Sequence, residues 1–228
     1  MVEINKILKI LHDKKSRASN KLIEKHTSNL DFPFLISFPR TGSHWLRQLM
    51  ELYLEKPALV RAFYFHNSKD FWACHDHDFN LQLVRKNIIY LYRNPIDTVY
   101  SQLRFDNLKI DDRIQIKYLS TIYGLHLNKW IFEENFTTDK TIISYENLKK
   151  SPFEEFSKIL SHLNIKPERR RFESILLQVS KQSLLKKTKH DNRVINTQIN
   201  YENEREFFRK NFGDLVLESI KKVNPNLI

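Results

Sequence analysis

Three short apolar runs decide most of what this chain can fold into. They are Phe34-Leu35-Ile36-Ser37-Phe38, Asn87-Ile88-Ile89-Tyr90-Leu91-Tyr92 and Thr141-Ile142-Ile143-Ser144-Tyr145. Runs of this length and apolarity suit strands covered on both faces. Helix-sized segments separate them: about 43–54, a start near Ile96 and Asp97, 113–135, and Ser151-Pro152 to Leu163, with Pro152 suited to a first helical turn. The alternation predicts an α/β fold, one parallel sheet flanked by helices. The aromatic piece Phe71-Trp72-Ala73-Cys74 adds a further candidate strand. Residues 1–30 place Ile4, Ile7, Leu8 and Leu11 at helical spacing, so an N-terminal helical segment is expected there. No linker or repeat divides the rest, and residues 1–228 read as a single domain.

Composition narrows the classes of function. A hydrophobic content of 41% over 228 residues supports a globular core. A single cysteine, Cys74, excludes an internal disulfide framework and points to a reducing compartment. Neither a signal peptide nor a membrane span is expected, since no run of apolar residues is long enough; the expected location is cytoplasmic. The net charge of +11 favours polyanionic partners such as nucleic acid, acidic lipid, acidic glycan or a phosphorylated cofactor. Basic residues dispersed along the chain are equally those of a lysine-rich solvated surface. With no helix-turn-helix, zinc or RNA-binding signature beside that charge, specific nucleic-acid binding is not expected.

The turn between the first strand and its helix carries the clearest chemistry. It reads Pro39-Arg40-Thr41-Gly42-Ser43, then His44-Trp45 opening the helix. A helix start presents unpaired N–H groups and the positive end of the macrodipole. Gly42 lets the backbone approach a ligand, Thr41 and Ser43 offer hydroxyls, and Arg40 can grip two oxygens at once. Ser43 is the expected N-cap. A phosphate or sulfate fits such a turn. A second turn, Arg93-Asn94-Pro95-Ile96-Asp97, ends the second strand, with Ser101 one helical turn beyond Asp97. In parallel sheets ligands bind where strands end and helices begin, which is where both turns lie.

Together these segments resemble the sulfotransferase family, enzymes that use 3′-phosphoadenosine-5′-phosphosulfate (PAPS). The family's first turn, Pro-Lys-Ser-Gly-Thr-x-Trp, corresponds to Pro39-Arg40-Thr41-Gly42-Ser43-His44-Trp45. Its Arg-x-Pro-x-Asp signature with a later serine corresponds to Arg93-Asn94-Pro95-Ile96-Asp97 and Ser101. Its Tyr-Glu-Asp-Leu strand end corresponds, more weakly, to Tyr145-Glu146-Asn147-Leu148. The resemblance implies a P-loop-like fold, PAPS as donor and adenosine 3′,5′-bisphosphate as product. Arg40, Thr41, Gly42, Ser43, His44 and Trp45 would hold the 5′-phosphate and sulfonate side. Arg93 and Ser101 would bind the 3′-phosphate, Asp97 would orient Arg93, and Tyr145 would contact the adenine. One departure stands out: arginine replaces the usual lysine at position 40, and a guanidinium does not deprotonate.

The family's base is often a histidine at a strand end between the two signatures. Here Cys74-His75-Asp76-His77-Asp78 occupies that interval. His75 is the first candidate and His77 the second; His-x-His also suits zinc on a strand, but sulfonate transfer needs no metal and none is expected. The family's late Arg-Lys-Gly-x-x-Gly loop has no counterpart. Phe208-Arg209-Lys210-Asn211-Phe212-Gly213-Asp214 reads as helix, so Arg193 or Lys186 is the positional candidate to complete the 3′-phosphate site. The acceptor would be a hydroxyl or amine on a glycan, lipid or natural product, lying against the aromatic segment 63–72 and the long helix. A P-loop small-molecule kinase is the alternative, weakened by the missing G-x-x-x-x-G-K-[ST]. A family member that binds the nucleotide without transferring sulfonate is another.

Overall fold

The computed structural model describes residues 18–180, 183 and 200–227. Residues 1–17 of the expected N-terminal segment lie outside the described residues, as do Lys186 and Arg193. The described chain starts with α1 (Asn20–Thr27), capped by the Ser19 hydroxyl, and enters β1 (Phe34–Ser37). There follow α2 (Ser43–Leu54), β2 (Cys74–Asp76), β3 (Asn87–Tyr92), α3 (Pro95–Phe105) and α4 (Arg113–Leu127). A π-helical turn (Asn128–Phe132) continues α4. Then come β4 (Asp139–Ser144), α5 (Tyr145–Lys150), α6 (Pro152–His162), α7 (Arg169–Gln178), α8 (Tyr201–Lys221) and a 3-10 turn (Pro225–Leu227).

The strands form one parallel sheet in the order β2-β1-β3-β4. Strand periodicity splits the apolar runs between two cores. Phe34, Ile36, Ile88 and Tyr90 face one core, with Val99 and Leu103 of α3, Tyr123 of α4 and Val216 of α8. Leu35, Ile89, Leu91 and Ile143 face the other, with Leu46 and Leu49 of α2 and Phe156 of α6. Each fully buried side chain of this kind stabilises the fold by roughly 1.5–3 kcal/mol. The consequence for function is topological. Neighbouring strands β1 and β3 send their following helices to opposite faces, so a crevice opens beyond their carboxyl ends.

The observed strand β2 lies further along than expected. Phe71 and Trp72, placed in the sequence on an acceptor surface, are 9% and 5% exposed and belong to the cores. Tyr145 begins a helix instead of ending β4. No helix among the described residues is long and apolar enough to cross a membrane.

Candidate active site

The turn after β1 runs through two left-handed residues, Arg40 (φ 67°) and Gly42 (φ 95°). Gly42, not Ser43, is the N-cap of α2; Ser43 is the first helical residue, and no side chain caps the helix. A helix start without such a cap keeps its first N–H groups for an anion. Thr41 is fully buried and its hydroxyl donates to the Phe38 carbonyl at 2.7 Å, so it holds the turn shut. The reason for glycine at 42 also differs from the expected one. A Cβ there would stand 2.5 Å from the Tyr145 ring, so the residue makes room for an aromatic neighbour as well as for its own positive φ.

The two arginine-bearing turns meet. Arg93 Nη1 donates to the Arg40 carbonyl at 3.1 Å, and Arg40 Nε donates to Ser101 Oγ at 3.3 Å. The Arg40 guanidinium lies over the Phe105 ring at 4.7 Å, and that of Arg93 over Tyr145 at 4.9 Å. Trp45 meets Tyr145 edge-on at 6.2 Å. The peptide of Arg93 is bracketed by the Tyr123 hydroxyl, which accepts from its N–H at 3.0 Å and donates to its carbonyl at 2.8 Å. Glu146 accepts from the Asn94 N–H at 2.9 Å, tying the start of α5 to the turn after β3.

Asp97 is shared by two cations. Arg209 grips it with Nε and Nη2, each at 2.8 Å, and Arg93 Nη2 stands 3.6 Å away. Burial works to raise the Asp97 carboxyl, but the Arg209 hydrogen bonds and the Arg93 charge outweigh it and hold the pKa below the ordinary range. Arg209 also donates through Nη1 to Glu206 at 3.2 Å, so its guanidinium is shared between two carboxylates. The Nε atoms of Arg93 and of Arg205, on the first turns of α8, are buried with no hydrogen-bond partner among the described residues.

A second group gathers around Ser37, three residues before Arg40. His75 sits inside β2 with Nε2 3.0 Å from Ser37 Oγ and Nδ1 3.4 Å from Arg47 Nη1. A guanidinium only donates, so Nδ1 accepts and Nε2–H donates; both ring nitrogens are engaged. His77, one residue past the strand, places Nδ1 2.6 Å from the Ser37 carbonyl oxygen. That oxygen only accepts, so Nδ1 carries the proton and Nε2 keeps its lone pair. The rings of His75 and His77 meet edge-on at 4.7 Å. His44 Nε2 accepts from Arg61 Nη1 at 2.9 Å. Burial lowers the pKa of His77 to about 4, against the opposing Ser37 hydrogen bond and with help from the Arg47 charge. Burial first, then neighbouring cations and histidines, push His44 and His75 well below the ordinary range. All three rings are therefore neutral at pH 7.

Arg47 and Glu51, one turn apart on α2, build the wall beside these histidines. Arg47 is 2% exposed and donates to the carbonyls of Val60 and, at 2.6 Å, Arg61. Burial, then the charge of Arg61, lower its pKa to about 10 while Glu51 opposes them. The Glu51 carboxylate accepts from the N–H groups of Phe63, Tyr64 and Phe65 at 2.8, 2.5 and 2.7 Å. Sequence reasoning missed this pair and Arg209. The available signal was an Arg/Glu pair at i, i+4 among the apolar residues Leu46, Leu49 and Met50 of one helix face.

A family model described as a sulfotransferase domain matches residues 79–214, more than half of the chain. The chain belongs to the sulfotransferase family. The match takes in the turn after β3, the start of α5 and Arg209, and begins after the first turn. Among solved structures, mouse sulfotransferase SULT7A1 complexed with PAP shares the fold, with a TM-score of 0.57 and 19% identity. That alignment covers 94% of this chain and 93% of the mouse chain. No curated protein matches the chain. In this sulfotransferase, then, Arg40, Gly42, Trp45, Arg93, Ser101 and Tyr145 form one cluster and His44, His75 and His77 the adjoining one.

Proposed function

We propose that this sulfotransferase transfers a sulfonate from PAPS directly and in line to a hydroxyl or amine of an acceptor, leaving adenosine 3′,5′-bisphosphate. The observation that carries the reading is the meeting of the two turns: Arg93 bonded to the Arg40 main chain, Arg40 bonded to Ser101, and the buried Arg93 Nε without a partner. Two arginines brought together in this way, beside an uncapped helix start, fit a nucleotide with charge at both ends. The donor, when bound, supplies the activated sulfonate. Arg93 and Ser101 hold its 3′-phosphate; the α2 N-terminus and Arg40 hold the other end. Arg40 keeps its charge at neutral pH, although burial and then Arg93 lower its pKa, and so it stabilises negative charge without giving up a proton. Tyr145, against Gly42 and Arg93, and Trp45 supply the aromatic surface for the base.

His77 takes the acceptor's proton at Nε2. The sequence order of His75 before His77 is reversed in this reading, because both nitrogens of His75 are engaged and only His77 keeps a lone pair on a ring of fixed tautomer. A value near 4 makes His77 a weak base in the free protein. Burial is the larger cause, and an anionic donor bound nearby offsets only the smaller contribution of the Arg47 charge. The enzyme works in a reducing, cytoplasmic setting, which suits Cys74, a buried thiol whose pKa burial pushes up to about 12.

The test has two parts. Calorimetry with adenosine 3′,5′-bisphosphate is expected to show binding, and labelled PAPS with a panel of phenols, sugars and amines is expected to give a labelled product. Absence of both overturns the proposal. Binding without transfer marks a nucleotide-binding but inactive member, and phosphoryl transfer from ATP and magnesium in its place marks a kinase.

A further inference from the structure

The sheet stops holding β2 one residue before His77. The last paired position is Asp76 opposite Ile36, and β2 is an edge strand. The geometry nevertheless holds the His77 carbonyl and the Asp78 side chain from a different direction. His126, at the end of α4, places Nε2 3.0 Å from the His77 carbonyl oxygen. Its Nδ1 stands 2.9 Å from the Tyr90 hydroxyl on β3. The carbonyl can only accept, so Nε2 carries the proton and Nδ1 accepts from Tyr90. One helical turn later Lys129 donates to Asp78 Oδ2 at 2.6 Å and to the Leu83 carbonyl at 2.8 Å. Asp78 lies at φ 40°, and its second oxygen accepts from the Leu83 N–H at 2.9 Å. The side chains of Lys129 and Asp78 are 2% and 1% exposed. Lys129 belongs to the π-helical turn, a widening that recurs at functional sites.

We infer that His126 and Lys129 are positioning residues for the base: His126 holds the His77 carbonyl and Lys129 the Asp78 side chain, so that the His77 ring stays on the Ser37 carbonyl, with Nε2 bearing the lone pair. The inference rests on the reading of His77 as base. The reason for the device is geometric. A ring hydrogen bond to Ser37 fixes the tautomer only while the His77 backbone stays in register with the end of β1. Past the ladder no backbone pairing among the described residues provides that register; the Asp76 carboxylate accepts from the Asp78 N–H at 2.6 Å within the same strand end, and His126 and Lys129 tie the segment to the end of α4 and the π-helical turn. An ordinary core ion pair would stabilise the fold equally well, but its loss would leave the His77 ring in place.

The experiment is histidine-ring nitrogen NMR on the whole protein at pH 7, with His126→Leu, His126→Gln and Lys129→Met. In the unsubstituted protein His77 is expected as the Nδ1–H tautomer alone. His126→Leu, and to a lesser degree Lys129→Met, is expected to give a mixture of tautomers, and the glutamine amide, which donates from a similar place, is expected to restore the single form. In parallel, turnover of labelled PAPS with β-naphthol as probe acceptor is expected to fall about tenfold or more in His126→Leu, with adenosine 3′,5′-bisphosphate affinity unchanged. A His77 signal untouched in His126→Leu overturns the inference, whatever happens to melting temperature. So does an equal change in the leucine and glutamine variants, which marks packing alone. Should His126→Leu fail to fold, the His126→Gln and Lys129→Met spectra decide by the same criterion. Failure of the base reading shows separately, as full β-naphthol turnover in His77→Ala.

Discussion

The arginine cluster and the histidine cluster adjoin at Ser37 yet are built on opposite principles. Around Arg40 and Arg93 the charges are fixed: Asp97 faces two guanidiniums, Glu206 takes a further bond from Arg209, and Arg93 Nε is buried without a partner among the described residues. Around His77 the cations are drawn into the protein, Arg47 donating to two carbonyls and to His75 while its own Nε is buried without a partner among the described residues, and the titratable rings are kept neutral by burial. The contrast separates two tasks. A cluster with permanent charge attracts an anion at any working pH; a neutral ring with one fixed lone pair handles a proton.

Substitutions can break this division, and the largest effect is expected at the lone pair. His77→Ala is expected to lower turnover by about 10²–10⁴, the usual weight of a general base, while leaving calorimetric affinity for adenosine 3′,5′-bisphosphate within about twofold. A large loss of nucleotide affinity in that variant would merge the two clusters into one. Arg93→Ala is expected to do the reverse and weaken nucleotide binding by about 100-fold, the weight of a lost charge-assisted pair. Arg93→Lys should recover only part of it, because an ammonium cannot reproduce the fork. Nucleotide affinity unchanged in Arg93→Ala would show that the 3′-phosphate binds elsewhere.

Two smaller tests concern stability. Gly42→Ala sets a methyl 2.5 Å from the Tyr145 ring at φ 95° and is expected to cost about 2 kcal/mol in denaturant unfolding. Pairing it with Tyr145→Ala should remove the contact part and leave the backbone part. Acid titration probes the histidine side. His77 titrates at about 4 and His126 at about 3 in the folded protein, against 6.5 for the free side chain. Below pH 6.5 the unfolded chain therefore binds more protons than the folded one. Stability is full above that pH and falls toward 4 for His77 and 3 for His126. Each contributes a slope of up to about 1.4 kcal/mol per pH unit. Thermal melts from pH 8 to 4 check this; a melting temperature flat through pH 6.5 to 5 would mean that these rings are not held neutral.

Much of the anion-binding half was legible because its parts are contiguous. Strand, turn and helix lie within residues 34–54 and again within 87–105, and local spacing reports them. The histidine half was legible only as a pair of candidates. Their order turned on which ring nitrogen meets the Ser37 carbonyl and which meets Arg47, contacts that join residues 28 to 40 positions apart. Arg209 was passed over for a related reason: its segment reads as helix, which it is, and nothing local says that this helix reaches Asp97.

The sequence by itself determined the parallel sheet, the two turns at its carboxyl edge and the charge they carry. Apolar runs, glycine and proline act through local backbone energetics that need no distant partner. The tertiary structure alone decided that Gly42 yields to Tyr145, that Asp97 belongs to Arg209 as well as Arg93, and that His77 holds the open lone pair. Those are matters of direction and proximity between distant segments. Hydrogen bonds and burial act over a few ångströms in space, at distances that the order of residues does not encode.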